Sequence, residues 1–241
     1  MKKVAFAVLG LSTLVTGAQA GVAYSSLLTS GISTYFIAGG ATTATGATSN
    51  TRMLLDDISV HPSNIGKPIN SITVGFVNNG AAAFKFRLRF RFYDDNAGVP
   101  GASIASSGYS YSINSLAPGI YNIPMALSGT LPVVPASGKL WVGVQFDGQN
   151  TLSSGSGPTL ADLNLAGIYS SPTATVGSSN ANILRTTGTS ATGFFPGTPT
   201  PVSTISSDGS KLGLELNVVP EPATMAALGL GIAALARRKR K

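Results

Sequence analysis

Lys85, Arg87, Arg89 and Arg91 stand at alternate positions, the one spacing in this chain that lines up four cations. Same-side residues of a strand recur about every 6.6 Å, so such a row can track an anionic polymer such as an acidic polysaccharide. The plainer uses of the row are a solvated strand face or charge pairing with a neighbouring strand. Tyr93, Tyr109, Tyr111 and Trp141 are aromatic candidates for stacking on sugars, although aromatic residues in strands commonly serve packing. Just beyond the row, Asp94-Asp95-Asn96 precedes Gly98 and Pro100-Gly101. Oxygen ligands gathered in a turn can hold calcium, but this stretch lacks the length and closing Glu of an EF-hand, and the same residue types are what a hairpin turn demands. The sole histidine, His61, precedes Pro62 and cannot alone build a metal site or a triad, so it reads as a surface loop residue. Asp56, Asp57, Asp94, Asp95 and Glu215 supply carboxylates of the kind glycoside hydrolysis uses. Nothing in their spacing selects a pair, and the chain has no Gly-x-Ser-x-Gly elbow, phosphate-binding glycine loop or His cluster. The expectation is a protein that is not an enzyme and uses no cofactor.

The elements that must position these residues are strands. Of 241 residues, 43% are hydrophobic and only 10% charged, and 29 Gly and 14 Pro favour short strands joined by turns. Period-two alternation is clearest over 83–93, where Phe84, Phe86, Leu88, Phe90 and Phe92 alternate with the basic row and Tyr93. It recurs over 140–147 and 211–218. Weaker strands are expected over 53–60, 69–78, 104–113, 119–127, 167–170 and 182–186. About nine strands of this kind predict an all-β fold, an antiparallel β-sandwich of jelly-roll type with one wet face, a barrel being the alternative. The segments 25–50, 151–159 and 170–210 are rich in Ser, Thr, Gly, Ala and Pro and read as loops.

Net charge is +7, but its location removes the nucleic-acid reading. Lys2 and Lys3 lie in the leader, and Arg237, Arg238, Lys239, Arg240 and Lys241 are the last five residues. The remaining body holds nine basic and eight acidic residues, an excess of one, so no nucleic acid is expected as a partner. There is no Cys, which excludes disulfides, thiolate metal sites and Cys nucleophiles.

The two ends carry addressing information. Met1-Lys2-Lys3, an apolar run from Val4 to Val15 and the small-residue site Ala18-Gln19-Ala20 form a secretory signal, with cleavage by signal peptidase expected after Ala20. At the other end, Pro220-Glu221-Pro222 is followed by an apolar segment over 223–236 and then by the basic cluster 237–241. These three pieces in order resemble the PEP-CTERM sorting signal. The resemblance implies a short transmembrane helix, transient anchoring in the inner membrane, and processing by a membrane protease called an exosortase. Fourteen apolar residues are few for a span that needs about 20, which suits a temporary anchor. The middle of the chain, with Leu55-Asp56-Asp57-Ile58, Phe90-Arg91-Phe92-Tyr93 and Leu140-Trp141-Val142-Gly143-Val144, looks like extracellular β-sandwich modules of unassigned function found in anchored bacterial surface proteins. The expected organisation is therefore a signal peptide over 1–20, a low-complexity segment over 21–49, the β-sandwich over 50–218 and the sorting signal over 219–241. The function this implies is that of a secreted cell-surface or extracellular-matrix structural protein. A module binding acidic exopolysaccharide is the alternative, with a glycan hydrolase behind it.

Overall fold

The computed structural model describes residues 21–28, 31, 34–37, 52–104, 108–147, 165–180, 183–187, 199, 203–206 and 209–219. The expected signal helix over 1–20 and the C-terminal helix over 223–236 lie outside them. Among the described residues no helix is long and apolar enough to cross a membrane.

The described chain is all-β, with a single short 3-10 turn at Pro62–Asn64. The strands are β1 Gly21–Ser25, β2 Tyr35–Ile37, β3 Arg52–Ser59, β4 Ile69–Asn78, β5 Phe84–Asn96, β6 Val99–Ser103 and β7 Tyr109–Leu116. They continue with β8 Gly119–Ala126, β9 Lys139–Asp147, β10 Ala166–Ser171, β11 Ile183–Thr187, β12 Ser203–Ser206, β13 Lys211–Leu212 and β14 Leu214–Val218. Every pairing between them is antiparallel, and they form two seven-stranded sheets.

In the first sheet β4 is central. β8 pairs along one side of it from Ser71↔Ala126 to Asn78↔Gly119. On the other side β14 takes Ile69 to Val74 and β10 takes Phe76 to Asn78, with β1 outside β14 and β2 outside β10. The second sheet runs β12-β11-β3-β9-β5, and the far side of β5 is shared by β7 and β6. The alternation read over 83–93 places Phe86, Leu88, Phe90 and Phe92 inward, each at most 1% exposed. They meet Ile72, Val74 and Phe76 of β4 and Leu214, Leu216 and Val218 of β14 in one core shared by both sheets. The Phe76 and Phe86 rings stack across the sheets at 4.6 Å.

Two expectations are corrected. The folded unit reaches back beyond residue 50, because β1 pairs with β14 and β2 with β10 inside the stretch expected to be low-complexity. Second, the outer face of the second sheet is not a wet face. Met53, Leu55, Tyr93, Trp141 and Leu184 form a smaller apolar cluster there. The physical reason lies in the strands beside β5: in register, Leu184 faces Leu55, which faces Gly143, while Asp57 faces Trp141, which faces Tyr93. Apolar side chains on four adjacent strands, β11, β3, β9 and β5, then adjoin and bury one another.

Glycines let the outer rings lie flat on the sheets. A Cβ on Gly75 would stand 2.2 Å from the Tyr169 ring, and one on Gly213 would stand 2.1 Å from it. Gly143 plays the same part in the second sheet, where a Cβ would stand 2.3 Å from Met53 Sδ and 3.1 Å from the Tyr93 ring. Side chains at these positions would displace the rings.

Candidate functional site

The basic row is split by its surroundings. Arg89 is 3% exposed and Arg91 9%, and Arg87 is half-buried. In register Arg87 faces Asp147 and Arg89 faces Gln145, itself buried. Lys85 is on the same strand, one alternation nearer its start. Four cations therefore do not form an open track. Arg91 adjoins Tyr93 of the outer apolar cluster, and Arg89 lies between Gln145 of β9 and Ser110 of β7.

The aromatic candidates fall on different faces. Tyr93 and Trp141 sit in the outer cluster, and burial raises the Tyr93 hydroxyl pKa to about 12. Tyr109 and Tyr111 face inward and stack on Phe90 at 6.0 and 5.5 Å. Their hydroxyls donate to the backbone carbonyls of Thr130 and Ala126, closing the open flank between β7 and β8. No shared sugar platform results.

Asp94, Asp95 and Asn96 end β5 at a two-residue hairpin in which Asn96 pairs with Val99. Ala97 and Gly98 both have positive φ, 53° and 85°, as a primed hairpin turn requires. Asp95 accepts from Trp141 Nε1 at 2.9 Å and from the Gly98 N–H at 3.4 Å, while Asp94 and Asn96 are exposed. Among the described residues no three His, Asp or Glu side chains converge as metal ligands. His61 is exposed and caps the 3-10 turn, its Nδ1 2.8 Å from Ser63 Oγ.

Asp56 is one of the five carboxylates named from the sequence, and the sequence reading did not foresee its burial. Alternation along β3 places Leu54, Asp56 and Ile58 on the inner face, so Asp56 enters the core and is fully buried. A carboxylate there needs partners. Its two oxygens accept from Ser179 Oγ and from the Leu212 N–H, both at 2.8 Å, which joins β3 of one sheet to β13 of the other. Burial raises its pKa to about 7 against the stabilising effect of those two hydrogen bonds, with Asp57 adding to the rise and Lys211 opposing it. Asp57, on the outer side, accepts from the Asn180 N–H at 3.1 Å and from its side-chain amide, and burial raises its pKa as well. Tyr24 faces the same knot, and burial and the nearby Asp56 carboxylate raise its pKa. Glu215 accepts from Ser25 Oγ at 3.0 Å. Ser179 Oγ lies within hydrogen-bond distance of both Asp56 and Asp57, at 2.8 and 3.4 Å, and Glu215 also accepts from Asn217 Nδ2 at 3.3 Å, so donors of the body hold these carboxylates.

The chain's address begins where β14 ends. Val218 pairs with Gly21 of β1 on one side and Ile69 of β4 on the other. The Val219 N–H then donates to the Pro68 carbonyl at 2.9 Å. Pro220, Glu221 and Pro222 follow at once. They lie outside the described residues, as do Ala18, Ala20 and the basic residues Arg237 to Lys241. No curated protein and no solved structure matches the chain. Residues 218–241 match the family model described as the PEP-CTERM protein-sorting motif. The chain thus carries a PEP-CTERM sorting motif joined directly to an all-β body, and this motif marks it as an exosortase-sorted protein exported to the cell envelope or surface.

Proposed function

We propose that this protein is a non-enzymatic structural component of the cell surface or extracellular matrix, a jelly-roll scaffold released from its membrane address by exosortase processing. The observation that carries this reading is the use made of its reactive side chains. Asp56, Asp57 and Asp95 hold Leu212, Asn180 and Trp141, and the Tyr109 and Tyr111 hydroxyls hold backbone carbonyls, so these groups brace the body. The jelly-roll part is supported by the strand orders β1-β14-β4-β8 and β3-β9-β5-β7, in which the chain passes from one sheet to the other at every step between these strands except from β5 to β7, which pair within one sheet. A polysaccharide track along the basic row is the weaker reading, because Arg89 and Arg91 are buried.

Deletion and labelling together test the scaffold. Antibody to the body, applied to intact cells, is expected to label the surface or matrix. The deletion strain is expected to lose matrix cohesion, restored by the parent chain and not by one with Pro220, Glu221 and Pro222 changed to Ala. Undiminished cohesion in the deletion strain would sink the scaffold reading. Turnover of a glycan by the purified body would replace it with an enzyme.

A further inference from the structure

Gly21 and Val218, where the described body meets the expected signal peptide and the sorting motif, lie side by side at one end of the molecule. Gly21, the first residue after the expected signal-peptide cut, is the direct register partner of Val218, the first residue of the sorting motif. The surrounding end is tied together by backbone and side-chain bonds. Asn64 Nδ2 donates to the Val22 carbonyl at 3.2 Å, the Gly66 N–H to Val134 at 3.1 Å, the Val134 N–H to Lys67 at 3.0 Å and the Val219 N–H to Pro68 at 2.9 Å. Large apolar side chains stand exposed on this knot: Val22 at 38%, Ile65 at 38% and Val133 at 45%.

From Val219 to Ala223, where the apolar segment 223–236 begins, there are four peptide steps. Fully extended, they span at most about 14 Å. A sandwich fastened at Val218 by two neighbouring strands cannot turn this end far from any membrane that holds 223–236. We propose that the end built from Val22, Ile65, Val133 and the end of β14 is a membrane-facing surface of the unprocessed chain, resting on the lipid interface while the sorting motif is engaged. The segments 59–70 and 128–139 carry Lys67 and Lys139 and no carboxylate. The β5–β6 hairpin at the same end of the second sheet carries Asp94 and Asp95. Apolar contact and the short tether, more than charge, therefore set the docking.

The proposal rests on the sorting reading, and the two fail differently. The chain lacks Cys, so single-Cys variants of the full chain carry one label each. Ile65→Cys and Val133→Cys probe this end. Ile120→Cys probes the other: Ile120 pairs with Val77, eight residues along β4 from Ile69 and about 27 Å away. With an environment-sensitive dye and vesicles of phosphatidylethanolamine and phosphatidylglycerol containing spin-labelled lipid, quenching at 65 and 133 is expected to exceed that at 120 several-fold. Inserting ten Gly/Ser residues between Val219 and Pro220 is expected to reduce this excess without abolishing it. Equal quenching at all three sites overturns the proposal, and so does an excess that vanishes with the linker, because the surface would then have no affinity of its own. Disulfide cross-linking between two copies of the Ile65→Cys variant, without quenching, would assign the end to a second copy and also overturn it. Release of the unlabelled full chain from the vesicles by alkaline carbonate would instead strike at the sorting reading.

Discussion

On the outer face of β9 and β5 the side chains with the greatest chemical capacity, Arg89, Arg91, Tyr93 and Trp141, are buried. At the end of β14, where the chain is addressed, the last described bonds are backbone bonds between Val218 or Val219 and their neighbours on β1, β4 and Pro68. In the first region Tyr93 and Trp141 pack in one apolar cluster and Trp141 donates to Asp95. The second carries the start of the sorting motif. The sorting motif thus lies apart from the buried polar face, on the peptide joined to the last strand of the body.

Substitutions in the outer cluster are therefore expected to lower stability while leaving sorting of the folded fraction unchanged. Trp141→Ala removes the largest side chain of that cluster together with its bond to Asp95, and should cost about 3–5 kcal/mol in urea unfolding. A loss under about 1 kcal/mol would mean that the outer face is open in solution, and the basic row would return as a binding surface.

Asp56 extends the comparison into pH. Its folded pKa of about 7 lies above the ordinary value near 3.8, so the stability it contributes is full below pH ~4 and is lost as pH rises through ~7. The slope from this group approaches about 1.4 kcal/mol per pH unit between those limits. Asp56→Asn keeps an acceptor for the Leu212 N–H and is expected to flatten the profile measured by urea unfolding at pH 4 to 8. An unchanged slope in the variant would remove Asp56 from the account.

The strands clearest in the sequence are those with long uninterrupted alternation, β5, β9 and the 211–218 stretch of β13 and β14, while the weaker patterns over 53–60, 69–78, 119–127, 167–170 and 182–186 fall on β3, β4, β8, β10 and β11. Their inward residues form the core as expected. Gly21 to Ser25 were not legible, because five residues of mixed Gly, Ala, Val, Tyr and Ser give too short a pattern, and their strand character comes from pairing with β14. The split of the basic row was hidden for a different reason. Period two tells which residues share a face, but not whether adjacent strands make that face dry. Asp56 was legible in principle, as an acid in register with the inward residues Leu54 and Ile58, and its distant partners Ser179 and Leu212 were not.

Two smaller effects sharpen the contrast. Gly75→Ala forces a Cβ into the Tyr169 ring, whose hydroxyl donates to Asn122 and accepts from the Leu28 N–H, and should cost about 1–3 kcal/mol by overpacking. Tyr169→Leu in the same background is expected to recover part of that loss, and no recovery would place the strain elsewhere. Asp95→Ala removes a hydrogen bond from the partly exposed hairpin and should cost about 1 kcal/mol. A loss above about 3 kcal/mol would show that the hairpin braces more than Trp141.

The central claim, that this body is exported and sorted through residues 218–241, is tested most directly by the intact mass of the protein recovered from the cell surface and medium. The account predicts a chain that begins at Gly21 and has lost the apolar segment and basic cluster, while a variant with Pro220, Glu221 and Pro222 changed to Ala keeps them. A parent chain that still ends at Lys241 would contradict it and make the protein a permanently anchored one.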